Sequence, residues 1–314
     1  MRAIAEEKFG GSIALMDLPV PEIGADEVLI RVRAAGVNPF DWKVADGALE
    51  GERKHRFPLI LGFDAAGVVE RVGAGVTELA EGDEVYGYLF KPVMGGGSYA
   101  EYVSAPASIV AKKPGSVGFA EAAALPTPGL TAMDLVDAVD PGEGETILIV
   151  GATGGVGSYA VQLAARRRAR VIATARRANE AFVRELGAVE TIDHTREDVV
   201  GSVLVAHPDG IEAIVDVVSD RETLGCIVRL VKRGGRVASS VYAAEEATLA
   251  RRGIEATNVG AQPDARRLAE LARLVDAGEL SVRLERAFPL ERAPEALEAS
   301  RTGHVRGKLV LLVD

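Results

Sequence analysis

Apolar runs and helical segments alternate along the second half of the chain. Short apolar runs predict strands that are buried on both faces. They lie at 145–150, 170–175, 189–194, 211–218 and 236–241. Helices are predicted between them at 156–168, 179–187 and 221–235, the second with Asn179 as its N-cap and Gly187 just past its end. Because strands that alternate with helices form parallel sheets, the pattern predicts an α/β fold with a doubly wound parallel sheet.

The first 120 residues show a different pattern, with short strand-like stretches that are punctuated by glycine. The stretches lie at 27–37, 65–73, 83–90 and 98–105, and the glycine clusters at 73–75 and 95–97 mark turns. This pattern predicts an antiparallel β domain of barrel or sandwich type. A helix is predicted at 264–278, and 307–314 is again strand-like. We expect this last strand to rejoin the first domain, which makes the middle of the chain an insertion.

Composition and charge narrow the class of protein. The chain has 314 residues, 48% hydrophobic and 26% charged, with a net charge of −10, which argues against nucleic acid or an anionic membrane as partner. Cys226 is the one cysteine, so no intrachain disulfide and no cysteine-based zinc site are possible. The N-terminal residues lack an apolar core of signal-peptide length. These features favour a reducing, cytoplasmic location.

A glycine-rich turn follows the first strand of the α/β pattern, in the stretch IVGATGGVGSYAVQLA (149–164). Gly151, Gly154 and Gly157 have the spacing G-x-x-G-x-x-G, because Ala152 stands where G-x-G-x-x-G would need a glycine. Glycine lets the backbone approach a pyrophosphate closely, and the following helix offers unpaired N–H groups. The turn therefore predicts dinucleotide binding. The alternative is a turn that serves only the packing of the helix against the strand.

The second strand of this unit lacks an acidic residue at its end. In an NAD site, an Asp or Glu about 20 residues beyond the turn binds the ribose 2′-hydroxyl. Thr174, Ala175, Arg176 and Arg177 occupy those positions here. A carboxylate repels a 2′-phosphate, whereas a guanidinium binds it with two hydrogen bonds. The sequence therefore predicts a preference for NADP(H). The alternative is that both arginines are solvated loop residues.

Several stretches in order along the chain resemble one family, the zinc-free quinone oxidoreductase branch of the medium-chain dehydrogenase/reductase superfamily, to which zeta-crystallin belongs. The stretches are GVNPFDWK (36–43), LGFDAAGVVERVG (61–73), GDEVYGY (82–88), LPTPGLTA (125–132), GATGGVGSYAVQLA (151–164), FVRELGA (182–188) and GHVRGKLVL (303–311). The resemblance implies a GroES-like catalytic domain from residues 1–122 and 263–314, a Rossmann domain at 123–262, and a homodimer.

The resemblance also implies that no metal is bound. Zinc-using relatives place a cysteine where Asn38 stands and a histidine–glutamate pair where Phe63 and Asp64 stand. Neither an asparagine nor a phenylalanine binds zinc as those side chains do, and one carboxylate is far short of a tetrahedral ligand set.

Other site residues follow from the resemblance. Asn38 matches the asparagine beside the nicotinamide, Thr127 lies in a segment under the cofactor, and His194 matches a position that reaches the adenosine phosphate. His194 is otherwise a solvated histidine at a strand end. Lys308 and Arg306 are candidates to approach the cofactor, or else are surface charges. The predicted cofactor-binding residues are Asn38, Thr127, Gly151, Thr153, Gly154, Gly155, Val156, Gly157, Thr174, Arg176, Arg177, His194, Val217, Ser240 and Lys308.

The reaction that the resemblance implies is hydride transfer from NADPH to a small conjugated acceptor, a quinone or an α,β-unsaturated carbonyl. Without zinc to polarise a plain carbonyl, an acceptor that delocalises its developing charge needs less help. Asn38 is the leading candidate for a hydrogen-bond donor to that charge, and Lys43, otherwise a solvated lysine, is the second. Two alternatives stay open: an enoyl-thioester reductase of the same branch, and a non-catalytic NADPH-binding structural or regulatory protein.

Overall fold

The computed structural model describes residues 1–314, and the chain divides into two compact units. One unit comprises Met1–Leu130 together with Gln262–Asp314, and the other comprises Thr131–Ala261. The first division, between Leu130 and Thr131, falls inside the helix Pro126–Val139. No flexible linker therefore separates the units there. The boundary predicted at residue 122 lies just before this helix.

The first stretch of chain is rich in strands. Its elements are β1 (Arg2–Glu6), β2 (Ala14–Asp17), β3 (Glu27–Val37), α1 (Pro39–Ala45), β4 (Lys54–Ile60), β5 (Asp64–Val72), β6 (Glu84–Tyr88), β7 (Val93–Gly96), β8 (Tyr102–Pro106), β9 (Val110–Lys112), α2 (Phe119–Ala123) and α3 (Pro126–Val139). The middle of the chain alternates strands and helices. Its elements are β10 (Thr146–Val150), α4 (Gly155–Arg166), β11 (Arg170–Thr174), α5 (Glu180–Glu185), β12 (Glu190–Ile192), α6 (Val199–Ala206), β13 (Ile211–Asp216), α7 (Arg221–Ile227), β14 (Val231–Ser239), α8 (Glu246–Arg251) and β15 (Glu255–Asn258). The last stretch contributes α9 (Ala265–Asp276), β16 (Leu284–Pro289), α10 (Ala293–Arg301) and β17 (Lys308–Leu312).

Two sheets build the β-rich unit. A seven-stranded sheet has the order β16-β17-β3-β5-β6-β9, with β8 also paired to β3, and a four-stranded sheet has the order β2-β1-β4-β7. β17 pairs antiparallel with β3, with Leu309 opposite Val37. The prediction that the last strand rejoins the first domain is therefore confirmed.

The middle unit is a parallel sheet of six strands in the order β12-β11-β10-β13-β14-β15. All neighbouring pairs run parallel. The chain runs outward from β10 in one direction and then in the other, which is the doubly wound topology that the alternating pattern predicted. β10 is buried along its whole length, as expected for a strand with helices on both faces.

The prediction of one helix over 221–235 is wrong beyond Ile227. A short 3₁₀ segment at Val228–Leu230 follows α7, and β14 begins at Val231. The apolar spacing there fits a helix, but Val231 pairs with Ile211 in the sheet, so the tertiary contact overrides the local pattern. No helix in the structure has both the length and the apolar composition that crossing a membrane requires.

Candidate active site

The glycine-rich turn lies between β10 and α4, at the carboxyl edge of the parallel sheet. Gly151 has a φ of +86°, which glycine adopts without strain, and its carbonyl accepts the N–H of Gly154 at 3.3 Å. A Cβ at Gly157 would lie far inside contact distance of the Gly151 carbonyl oxygen and 2.8 Å from the Cα of Ala152. The turn is therefore closed tightly against the first turn of α4, whose N–H groups begin at Gly155.

Thr174, the last residue of β11, supports this turn from the neighbouring strand. Its side chain is buried, and its Oγ1 accepts a hydrogen bond from the Gly151 N–H at 3.0 Å. The hydroxyl is thereby tied to the backbone of the turn. Thr174 holds in place the residue at which the chain leaves β10.

The other predicted residues of this unit lie at the same edge, each just after a strand ends. Arg176 and Arg177 follow β11, His194 follows β12, Val217 follows β13, and Ser240 follows β14. Because the carboxyl ends of parallel strands meet at one edge, the fold brings these positions together with the turn. We call this set, the turn at 151–157 with Thr174 and these five residues, the cofactor edge.

Three cationic or titratable side chains of the cofactor edge are exposed and not hydrogen-bonded, although the charge of Arg177 acts on the Glu180 carboxylate. Arg176, Arg177 and His194 are exposed, and their side chains make no hydrogen bond or ion pair within the chain. The backbone beneath them is held, since the Asp193 carboxylate accepts the N–H of Arg177 at 3.1 Å and that of Thr195 at 3.0 Å. The loop is therefore anchored while both guanidinium groups are available to a ligand.

Asp216 is a buried carboxylate at this edge that the sequence reasoning missed. It accepts the N–H of Ser219 at 3.0 Å and the hydroxyl of Ser239 at 3.0 Å, so it ties the end of β13 to the end of β14. The sequence offers one indication of its role: Asp216 is an acidic residue at the end of the mainly apolar run IEAIVD.

A second group of predicted residues meets in the β-rich unit, where β17, β3 and β5 are neighbours. Lys308 Nζ donates to Asn38 Oδ1 and to the Val37 carbonyl, both at 2.6 Å. Asn38 Nδ2 donates to Asp64 Oδ2 at 2.8 Å. Thr127 donates to Asp64 Oδ1 from its backbone N–H at 2.9 Å and from its hydroxyl at 2.5 Å. Asn38 therefore lies between an ammonium and a carboxylate.

Asp41 and Tyr99 extend this group, and neither was singled out from the sequence. Asp41 Oδ2 accepts the N–H of Asn38 and the hydroxyl of Tyr99, both at 2.7 Å, while Asp41 Oδ1 is buried without a hydrogen-bond partner. The signal for Asp41 is its place three residues after an N-cap asparagine. Tyr99 has no local signal. We call Asn38, Asp41, Asp64, Tyr99, Thr127 and Lys308 the buried polar network.

Within this network, burial shifts the pKa values in one direction, and hydrogen bonds and opposite charges shift them in the other. Burial raises the pKa of Asp41 to about 7, against the hydrogen bonds from Asn38 and Tyr99 that lower it. Burial also raises the pKa of Asp64 and lowers that of Lys308, and their mutual attraction opposes both shifts. The donors around Asp64 favour its charged form, and that charge favours an ammonium at Lys308.

Lys43 and Arg306 lie outside the buried polar network. Lys43 is exposed on α1, with its Nζ 5.6 Å from the centroid of the Trp42 ring. Arg306 is exposed, and its backbone N–H donates to the Glu285 carboxylate. The structure does not join either side chain to Asn38, and their roles stay predictions.

Aromatic rings pack beside Phe63, the position at which the resemblance implies a histidine in zinc-using enzymes. The Phe63 ring centroid lies 4.9 Å from that of Phe40 and 6.1 Å from that of Phe90, on which Tyr88 stacks at 5.9 Å. Asp64, the next residue along the chain, is engaged by Asn38 and Thr127. No three or more His, Cys, Asp or Glu side chains are arranged to hold a metal ion.

Comparisons with known proteins cover both units. Residues 24–115 match the alcohol dehydrogenase GroES-like domain, and residues 186–311 match a domain described as zinc-binding dehydrogenase. The chain is 33% identical to the chloroplast envelope quinone oxidoreductase homolog of Arabidopsis thaliana, over 99% of this chain and 98% of that protein. It is 32% identical to the NADPH-dependent alkenal/one oxidoreductase of the same plant, over 99% and 79%.

A solved structure agrees with these sequence matches. The quinone oxidoreductase from Coxiella burnetii superposes with a TM-score of 0.90 at 32% identity, and the match covers 100% of this chain and 99% of that one. The fold, the two domain matches and the full-length similarity lead to one assignment. This chain belongs to the quinone oxidoreductase branch of the medium-chain dehydrogenase/reductase superfamily.

Proposed function

We propose that this protein is an NADPH-dependent oxidoreductase that reduces quinones or α,β-unsaturated carbonyl compounds without a metal ion. The observation that carries this proposal is the similarity, over 99% of this chain, to relatives named for quinones and for alkenals and alkenones. These acceptors are also of the conjugated class that the resemblance implies. A homodimeric state and a cytoplasmic location stay predictions.

The residues of the cofactor edge fit a dinucleotide phosphate. The glycine turn is packed so tightly at Gly157 that no side chain fits there, and it precedes the N-terminus of α4, whose N–H groups favour an anion. Arg176 and Arg177 supply two unpaired guanidinium groups where an NAD site would have a carboxylate. When bound, NADPH supplies a hydride from C4 of its nicotinamide ring.

Asn38 is the residue that we assign to the acceptor. One N–H of its Nδ2 is bonded to Asp64, and the other makes no hydrogen bond within the chain. A donor that is already oriented stabilises negative charge as it develops on the acceptor oxygen, and a well-placed donor of this kind contributes roughly 3–4 kcal/mol. Because a conjugated acceptor spreads that charge, neutral donors suffice, and solvent supplies the proton.

The first prediction tests the reaction itself. We expect the purified protein to oxidise NADPH with quinones and enones, and to show at most about 1% of that rate with the matching saturated alcohols and NADP⁺, because no Lewis acid lowers the pKa of an alcohol. Steady-state rates over such a panel, before and after exhaustive chelation, give the measurement. The panel also includes enoyl-CoA thioesters, which test the alternative that the protein is an enoyl-thioester reductase. Absence of turnover, or turnover that is lost with a bound metal, would contradict the proposal.

A second prediction concerns the choice of cofactor. We expect the double variant Arg176→Ala/Arg177→Ala to bind NADPH about 10- to 100-fold more weakly, because it loses charge-assisted hydrogen bonds to the 2′-phosphate, and to bind NADH unchanged. Titration of both cofactors measures this. Arg233→Ala is the control, since Arg233 is exposed near the amino end of β14, away from the cofactor edge. Equal loss for the two cofactors would contradict the assignment.

A further inference from the structure

The Asn38 amide has one stable orientation in the buried polar network. Its Oδ1 faces Lys308 Nζ at 2.6 Å, a group that has donors only, and its Nδ2 faces Asp64 Oδ2 at 2.8 Å, a carboxylate that has acceptors only. Rotation of the amide by half a turn would set its N–H groups against the ammonium and its oxygen against the carboxylate. The two neighbours therefore determine which side of the amide carries the nitrogen.

Both neighbours are fixed in turn. Thr127 donates twice to the other oxygen of Asp64, and Lys308 has a second acceptor in the Val37 carbonyl. Asp64 is fully buried and Lys308 is 4% exposed, so water does not compete for these contacts. An apolar pair of similar volume often serves stability as well as a buried ion pair does. Lys308 and Asp64 form no ion pair with each other but contact opposite sides of one amide, which points to orientation of that amide as their role.

We propose that Lys308 and Asp64 are positioning residues for the reaction, and that together they hold the Asn38 amide with its unpaired N–H available to the acceptor oxygen. This inference rests on the proposed function. It assigns Lys308 an action through Asn38, which differs from the expectation that Lys308 contacts the cofactor directly.

A double-mutant cycle tests the action through Asn38. Lys308→Gln removes the charge but keeps a donor, so the amide is no longer forced into one orientation. We expect kcat to fall about 10-fold or more, up to the roughly 100- to 1000-fold that outright loss of an oxyanion donor costs, while the Kd for NADPH stays within about twofold. In an Asn38→Ala background the same substitution should leave kcat unchanged, because the residue through which Lys308 acts is gone.

Other outcomes of the cycle overturn the inference. A fall in kcat that persists in the Asn38→Ala background means that Lys308 does not act through Asn38, and weaker NADPH binding means that Lys308 contacts the cofactor. Lys112→Gln is the control, because Lys112 is an exposed lysine on β9 that pairs with Asp83. If Lys308→Gln does not fold, Asp64→Asn takes its place in the cycle, since it puts a second amide beside Asn38 and removes the enforced orientation.

A spectroscopic readout does not depend on turnover. The protein has three asparagines, Asn38, Asn179 and Asn258, so selective ¹⁵N-asparagine labelling gives three side-chain amides, and Asn38→Ala assigns one of them. We expect the Asn38 amide proton that is bonded to Asp64 to exchange slowly with solvent in the native protein, and to shift and exchange faster in Asp64→Asn. An unchanged Asn38 signal overturns the inference. Absence of acceptor turnover with the expected signal overturns the proposed function instead.

Discussion

Gly157→Ala is expected to weaken NADPH binding about 100-fold or more, which corresponds to about 3 kcal/mol. The added Cβ would collide with the Gly151 carbonyl oxygen and lie 2.8 Å from the Cα of Ala152, so the backbone of the turn has to open. Opening the turn moves the N–H groups at the start of α4 away from the position that we propose for a phosphate. We also expect a loss of about 1–3 kcal/mol of stability from the overpacked turn.

Gly225→Ala is the matched control for this substitution. Gly225 is a helical glycine in α7 of the same unit, and a Cβ there meets nothing within 4 Å. Alanine should raise the free energy of unfolding by about 0.5–1 kcal/mol and leave NADPH affinity unchanged. Binding by titration and unfolding in urea are measured on both variants. If Gly157→Ala binds NADPH like the native protein, the turn is not the phosphate site.

Glu6→Gln is expected to stabilise the protein at alkaline pH by about 1–3 kcal/mol, because it removes a buried charge that lacks hydrogen bonds. Glu6 is fully buried on β1, and neither carboxylate oxygen has a hydrogen-bond partner. Burial raises the pKa of Glu6 to about 7; the nearby backbone N–H of Gly11 opposes this shift, and the charge of Asp46 adds a smaller increase. The folded protein therefore keeps a proton that the unfolded chain releases, and this stabilising contribution is lost as the pH rises through 7.

The measurement is urea unfolding of both proteins across pH 5 to 8. The native protein should lose stability over this range, and Glu6→Gln should lose less. The pKa of Asp41 is also raised to about 7, so Asp41 contributes to the pH dependence of stability in both the native protein and Glu6→Gln. Glu7→Gln is the control, because Glu7 is the exposed neighbour of Glu6. If the two proteins have parallel pH profiles, Glu6 does not carry a raised pKa.

The sequence predicted the parallel sheet well because its strands are apolar runs that are buried on both faces. It did not predict β15, whose alternating residues Glu255–Asn258 resemble a loop, or α6, which lies in a stretch with no stripe of polar positions. Segment 231–235 was assigned to a helix because its local spacing fits one. The pairing of Val231 with Ile211 that makes it a strand is formed across the fold.

The residues of the candidate site also differ in how well the sequence could predict them. The glycine turn and its arginines are close in sequence and carry local signals, so their positions could be predicted. The buried polar network is assembled from partners that are far apart, such as Tyr99 and Asp41 at 58 residues and Lys308 and Asn38 at 270. No local pattern specifies that an asparagine will meet a lysine from another strand. Asn38 and Lys308 were therefore proposed by resemblance, while their contact was not predicted.

The pairing of β17 with β3 has a consequence for how the protein is made. A ribosome releases β3 long before β17, and the whole of residues 131–261 is synthesised between them. During this interval β8 can already pair with residues 27–31 of β3, but residues 34–37 lack the partner that β17 supplies, and Asn38 and Asp64 are without Lys308. The central unit is free to fold during synthesis, whereas the β-rich unit waits for its last strand. Such a late, distant closure favours slow folding, and until it occurs the open part of the β3 edge can pair with other chains.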